Sequence, residues 1–217
     1  MDWTQQIDGY CERVDFSFWA EPVNALTNAA FLIAALYVWP RAKATPMGRA
    51  LAVILFVIGL GSFAFHTFAT QWASLADVLP IVAFILAYIF AAHRDYFGLS
   101  SLRAVLATVL FLPFAAVTIP VFVVLGMGSS SAYAPVPLLI FIYAYLLRRR
   151  APATARGLAV GAVILCGSIV LRMADAAVCD GFPLGTHFAW HILNALMLGH
   201  MIRVYGAHML EGRLATR

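Results

Sequence analysis

Seven apolar stretches separated by short polar ones dominate this sequence, and they leave hydrocarbon as the only solvent that suits most of the chain. They run at about residues 22–39, 51–69, 77–92, 104–125, 132–147, 157–178 and 186–205. A helix crosses a bilayer with roughly 17–25 apolar residues. The stretches at 77–92 and 132–147 are short by that measure, but both are flanked by polar loops, and removing either would put basic loops on opposite sides. Each crossing has to be helical, because a helix satisfies its own backbone where no water is available. The alternating segments of a transmembrane barrel are absent. Charged residues are only 11% of the chain, against about 25% in a soluble domain, too few to cover a surface in water. The expected fold is an all-α integral membrane protein, a seven-helix bundle forming a single domain over residues 1–217. Residues 1–21 make an acidic N-terminal segment, 22–205 the helices and 206–217 a tail. The first twenty residues contain Asp2, Asp8, Glu12, Arg13 and Asp15. They lack a signal peptide's basic leader and apolar centre, so this segment is expected to be retained.

Orientation follows from the basic residues. Arg41, Lys43, Arg49, Arg94, Arg103, Arg148, Arg149, Arg150, Arg156, Arg203, Arg213 and Arg217 fall in the loops after stretches one, three and five and in the tail. That is twelve of the fourteen, with only Arg13 and Arg172 toward the other face. The positive-inside rule then places the N-terminus outside and the C-terminus in the cytoplasm. The basic residues form no patch interleaved with aromatics, so nucleic acid is not an expected partner. Short Arg-rich loops suit a bacterial inner membrane, although a eukaryotic internal membrane presents the same pattern. Trp19, Trp39 and Trp72 fall near the expected interfaces, where aromatic belts form.

Acidic residues collect on the opposite side: Asp2, Asp8, Glu12, Asp15, Glu21, Asp77, Asp175 and Asp180 lie on the outer face or at the outer ends of stretches. Carboxylates contribute little to orientation, which leaves two readings, a solvated acidic rim or a cation site. Cys11 and Cys179 also lie outside, where a disulfide between them is permitted; Cys166 is mid-stretch and reads as a small packing residue. Arg172 and Asp175, three apart, read most simply as an internal pair.

The sharpest local pattern is His187-Phe188-Ala189-Trp190-His191. Residues four apart share a helix face, so both imidazoles can reach one metal ion; hydrogen-bonded packing is the competing reading. The Glu that follows the first His of a zinc protease helix is missing. Ser62 and His66 lie one helical turn apart at the end of the second stretch, and Asp77 opens the third. All these groups sit toward the outer ends of their helices, and ionisable side chains inside a membrane usually face the bundle interior in a functional role. Three imidazoles leave a tetrahedral position open, the arrangement of catalytic zinc, where bound water reaches a pKa of about 7. Asp77 is placed to move that water's proton and Ser62 to donate to an oxyanion. His200 and His208 fall toward the cytoplasmic end and His93 at a loop edge beside Arg94; all three read as structural. Gly126 to Ser131 reads as a flexible outer loop bordering substrate entry.

Gly61-Ser62-Phe63-Ala64-Phe65-His66, Asp77 and His187-Phe188-Ala189-Trp190-His191, with Tyr10-Cys11-Glu12 and Glu21-Pro22-Val23-Asn24-Ala25-Leu26-Thr27-Asn28 near the N-terminus, resemble the alkaline ceramidase family. The wider superfamily includes the adiponectin and progestin receptors and hemolysin-III-like proteins; the acidic N-terminal motif favours the ceramidase branch. The resemblance covers most of the chain. It implies seven helices, zinc bound by His66, His187 and His191, Ser62 and Asp77 as catalytic partners, and a disulfide between Cys11 and Cys179. Eukaryotic members also bind calcium through an N-terminal Asp-Trp-Cys-Glu-x-Asn pattern followed by a further Glu. Here Glu12 and Glu21 match, but Gly9 and Val14 stand at the Asp and Asn positions, with Asp8 and Asp15 one residue away as substitutes. Calcium takes six to eight oxygens from carboxylates and carbonyls, so those four carboxylates are the candidate set.

The function expected is hydrolysis of the amide bond of ceramide or a related N-acyl lipid, giving a fatty acid and a long-chain amine. The membrane lipid is the expected partner, and the site is expected toward the periplasmic side. The alternative is a non-enzymatic seven-helix receptor or stress-response protein with structural zinc. A metal or proton transporter fits less well, because stretches four and five offer almost no polar residues along a path.

Overall fold

In the computed structural model, which describes residues 2–215, the regular structure among the described residues is helical, apart from one isolated bridge between Gln6 and Thr70. The helices are α1 (Pro22–Thr27), α2 (Ala29–Ala42), α3 (Pro46–Phe68), α4 (Gln71–Ala91), α5 (Ser101–Val109), α6 (Phe111–Val124), α7 (Pro135–Leu147), α8 (Pro152–Val178) and α9 (His187–Ala215). A π-turn (Ala92–Tyr96) extends α4, and a 3-10 turn (Gly128–Ala132) precedes α7. Proline stands in the first turn of α1, α3, α7 and α8, where its missing N–H has no partner to lose and its fixed φ already suits a helix. Thr45 caps α3 by accepting from the Gly48 backbone N–H at 3.0 Å.

Among the described residues, six helical segments are long and apolar enough to cross a membrane: Pro22–Ala42, Pro46–Phe68, Gln71–Tyr96, Ser101–Val124, Gly128–Leu147 and Pro152–Val178. The two short stretches are extended at their starts, by Gln71 to Ala76 before the third and by Gly128 to Ser131 before the fifth. Helix α9 is the longest, at 29 residues, and carries His187, His191, Asn194, His200, Arg203 and His208 along its length. Residues 206–215, read from sequence as a tail, continue α9; Arg217 lies outside the described residues.

The core is shared by α2, α3, α4, α7, α8 and α9, with Val38, Leu51, Leu55, Ile58, Leu158, Ile202 and Tyr205 among its most buried side chains. α9 packs against α2, α3 and α8. By contrast, α5 and α6 bury only Ala104. The outward faces present residues such as Leu36, Val117, Val124 and Val163, the apolar surface that a hydrocarbon solvent requires. Cys166 is also exposed on α8 rather than packed, which corrects its sequence reading: its helical position points away from the partners of α8, and a small apolar thiol is at home against lipid. Trp19, Trp39 and Trp72 are exposed as well.

Candidate metal centre

His66 lies in the last turn of α3, while His187 and His191 occupy the first two turns of α9. Their side chains are 1, 2 and 1% exposed. One ring nitrogen from each falls within 4.8 Å of the others, so the pattern read from sequence converges in space. Among the described residues, this is the group of three or more His, Cys, Asp or Glu side chains close enough to share an ion.

Neighbouring side chains orient two of the three rings. The Thr27 hydroxyl donates to the Val23 and Asn24 carbonyls at 2.8 and 3.0 Å, so at 2.9 Å it accepts from His191 Nδ1. That fixes the tautomer and leaves His191 Nε2 as a lone-pair donor, buried and without a partner. His66 Nδ1 donates to Glu21 Oε2 at 2.6 Å, which likewise turns its Nε2 into the acceptor. His187 Nδ1 is buried with no hydrogen-bond partner. Buried unpaired nitrogens are rare because each forfeits hydration. Two in one three-histidine cluster, with partners orienting two of the rings, fit a bound metal ion with its outer-shell support.

Asp175 and the disulfide hold the remaining geometry. Asp175 Oδ1 accepts from the Thr186 and His187 backbone N–H groups at 2.7 and 2.9 Å, and Oδ2 from Cys11 N–H at 3.1 Å. A side chain of α8 thus caps α9 and anchors the N-terminal segment. It does not pair with Arg172: that guanidinium turns to the Ser129 and Ser130 hydroxyls at 3.0 and 2.8 Å, because the Asp175 oxygens are already taken by backbone donors. Cys11 and Cys179 form a disulfide with a Cα–Cα distance of 5.3 Å. At this crossing Gly185 (φ +64°) takes a left-handed conformation, and a Cβ there would overlap Asp175 and Cys11. Tyr10, next to the disulfide, stacks on His187 with ring centroids 3.6 Å apart; burial pushes its phenol pKa up, so it stays neutral.

Ser62 is buried one turn before His66. Asp77 is half-buried in the first turns of α4. Gly61 lets the two helices meet, since a Cβ there would overlap the Ala76 carbonyl oxygen. Asp77 faces a cavity of about 520 Å³, also lined by Tyr10, Ser129, Ser130, Tyr133 and Arg172. The 126–131 segment therefore does border a cavity, but Ser130 and Ser131 are buried rather than loose. Below the histidines, two narrow apolar cavities of about 40 and 50 Å³ share Phe84, Ile85, Val136, Met197 and Leu198 as walls. His93, His200 and His208 pair with Tyr143, the Gly157 carbonyl and Thr154 at 2.7, 2.8 and 2.8 Å, as structural residues do.

The four carboxylates named for calcium do not form a cradle. Glu12 spends both oxygens on the Val23 and Asn24 N–H groups at 2.7 and 2.8 Å, capping α1. Asp15 Oδ1 accepts from Ser17 N–H at 2.8 Å, and Asp8 is exposed. Glu21 is engaged by Arg13 Nε at 2.5 Å, by His66 and by Asn24 Nδ2 at 3.0 Å. The Arg13 guanidinium also donates to the Asp15 and His66 carbonyls, both at 3.0 Å. A buried organic cation thus already gathers the oxygens a divalent ion would need, and the residues present do not fit calcium. Burial would raise the Glu21 pKa, but the bond and charge of His66, the Asn24 amide and the Arg13 charge outweigh it and hold the carboxyl below its ordinary range. Sequence reasoning gave Arg13, Thr27 and Tyr10 no role at the site, because their contacts with His66, His191 and His187 join segments far apart in the chain.

A model of the Ceramidase family matches residues 4–213. No curated protein matches the chain. The family match spans the three histidines, Ser62, Asp77, both disulfide cysteines and nearly every helix, and the chain belongs to the ceramidase family.

Proposed function

We propose that this protein is a zinc-dependent intramembrane hydrolase that cleaves the amide bond of ceramide or a related N-acyl lipid. The products are a fatty acid and a long-chain amine. The observation that carries this reading is the buried trio His66, His187 and His191, two of which present ring nitrogens with no hydrogen-bond partner. Three neutral nitrogens suit zinc with a position left for substrate. α9 is taken as the seventh crossing, with the N-terminus outside and the histidines toward the periplasmic side.

Zinc, when bound, supplies a Lewis acid that polarises the acyl carbonyl and acidifies water. Asp77 receives the proton of the attacking water and delivers it to the leaving amine. Ser62 donates its hydroxyl to the oxyanion as the carbonyl carbon becomes tetrahedral. Tyr10 and the disulfide cover His187 on the segment side and limit water, while Phe84 and Met197 present apolar walls below the histidines. Glu21 and Thr27 hold the His66 and His191 rings in their working tautomers.

The test combines metal analysis of detergent-purified protein with hydrolysis of a fluorescent N-acyl lipid. About one zinc per chain is expected, lost along with turnover in His187→Ala/His191→Ala. Full turnover by His191→Ala would refute the reading; zinc retained without turnover in the wild type would favour a structural metal.

A further inference from the structure

We propose that the groove between α7 and α8, at the end of the bundle away from the histidines, binds an anionic phospholipid of the surrounding membrane. Such binding needs only that these two helices cross the bilayer, and it holds whether or not the metal centre hydrolyses a lipid.

Thr154, in the first turn of α8, bonds His208 at 2.8 Å, near the far end of α9 from His187 and His191. The end of α7 and the start of α8 therefore lie at the membrane surface opposite the metal centre, the cytoplasmic one in the orientation proposed above. Arg148, Arg149, Arg150 and Arg156 fall within the short stretch where these helices meet. An excess of basic residues at this surface follows from topology alone, so their number makes no site. Where their side chains go does.

Arg150 is engaged by the protein: it donates to the Tyr96 carbonyl, and its guanidinium lies 5.4 Å from the Phe97 ring centroid. Arg148 and Arg156 instead line a groove of about 350 Å³. Arg148 is held there, stacked on the Tyr145 ring at 3.6 Å and donating to the Tyr145 carbonyl at 2.6 Å. Among the described residues, neither arginine has an ion-pair partner, and no carboxylate lines the groove. The acids of this end lie elsewhere. Asp95 accepts from Arg94 and Tyr205, both at 2.8 Å, and Glu211 lines a separate groove with Arg41 and Arg203.

The start of α8 adds to the attraction. The helix opens without a side-chain cap and with no acidic residue in its first turn. Its first N–H groups have no acceptor within the helix, and the positive end of the helix dipole lies there. Pro152 and Ala155 from this end line the same groove.

The rest of the groove is apolar, with Phe141 and Ala144 from α7 and Ala155 and Ala159 from α8. The three alanines leave a trough where larger side chains would fill the seam. A soluble phosphate would use the arginines and leave this floor bare. A phospholipid uses both, with its phosphate at the paired N–H donors of the arginines and the upper part of one acyl chain along the alanines. Two unpaired cations and a helix N-terminus favour a lipid of net negative charge over a zwitterionic one, whose ammonium group they repel.

The experiment titrates detergent-purified protein with dioleoyl phosphatidylglycerol or dioleoyl phosphatidylcholine and reads retained lipid by native mass spectrometry. About one phosphatidylglycerol per chain is expected, held about thirtyfold more tightly than phosphatidylcholine, since each arginine near the surface contributes roughly fivefold. Arg148→Gln/Arg156→Gln should lose that preference. Arg49→Gln/Arg103→Gln, which removes two exposed arginines outside the groove and changes the net charge equally, should keep it. A wild-type ratio near unity, a preference that survives Arg148→Gln/Arg156→Gln, or one lost equally in the control overturns the proposal.

Ala159→Trp keeps both arginines and fills the floor. It should weaken phosphatidylglycerol binding about tenfold, the equivalent of roughly two methylenes kept from burial; unchanged binding would overturn the placing of the acyl chain and with it the lipid assignment. A third arm needs no variant. Glycerol 3-phosphate, which carries the phosphate without the chains, should leave the lipid bound to wild type at equal concentration. Displacement would assign the groove to a soluble anion and overturn the proposal.

Discussion

Replacing Arg13 by Met keeps most of the side chain's apolar volume but removes the cation from a buried network. The Arg13 and Glu21 side chains are 1 and 3% exposed. Truncating one partner of a buried ion pair costs about 3–5 kcal/mol, since the surviving charge stays buried without compensation. Glu21 would keep its bonds from His66 Nδ1 and Asn24 Nδ2, which argues for the lower end, about 3 kcal/mol. The Asp15 and His66 carbonyls would lose their guanidinium donors as well. Because Glu21 orients His66, metal affinity should fall by about 10–100-fold. The assay is reversible unfolding in detergent for Arg13→Met, Glu21→Gln and the double variant, with zinc affinity measured alongside. The double variant should be less damaged than the sum of the singles, with a coupling of about 1–3 kcal/mol. A loss under about 1 kcal/mol for Arg13→Met, or strict additivity, would refute the network as a stabilising unit.

Calcium should not substitute for anything in the wild type: millimolar calcium or its chelation should leave the melting temperature unchanged, and a calcium-dependent rise would contradict the role given to Arg13. Thr27→Val should lower zinc affinity about 10–100-fold by freeing the His191 tautomer, which zinc titration against a competing chelator measures. Removing the disulfide with Cys11→Ser/Cys179→Ser should lower unfolding stability by about 2–4 kcal/mol, read as a melting shift that reductant reproduces in the wild type. Gly61→Ala should drive α3 from α4 at the Ala76 carbonyl, destabilising by about 1–3 kcal/mol. Its hydrolytic activity should fall further than its stability, because Ser62, His66 and Asp77 sit on the displaced helices.

Hydrophobic patterning was legible in the sequence because in a bilayer each helix must be apolar along its own length, a local requirement that needs no knowledge of neighbours. The His187 and His191 pair was legible for a similar reason: helical periodicity alone puts residues four apart on one face. Helix ends were less visible, since Gln71 and Ser74 interrupt the apolar run before Asp77 and Gly128 to Ser131 are small or polar, and extending a helix does not require hydrophobicity. Only the tertiary structure decided the charged partners. Arg172 and Asp175 are three apart and look paired, yet backbone donors from two other segments claim the carboxylate and leave the arginine facing a cavity. Arg13 lies within the segment compared with a calcium motif, but packing buries it among Glu21, Asp15 and His66, residues up to 53 positions away. A buried charge is satisfied by whichever groups the fold brings within hydrogen-bond reach, and sequence spacing does not encode that choice.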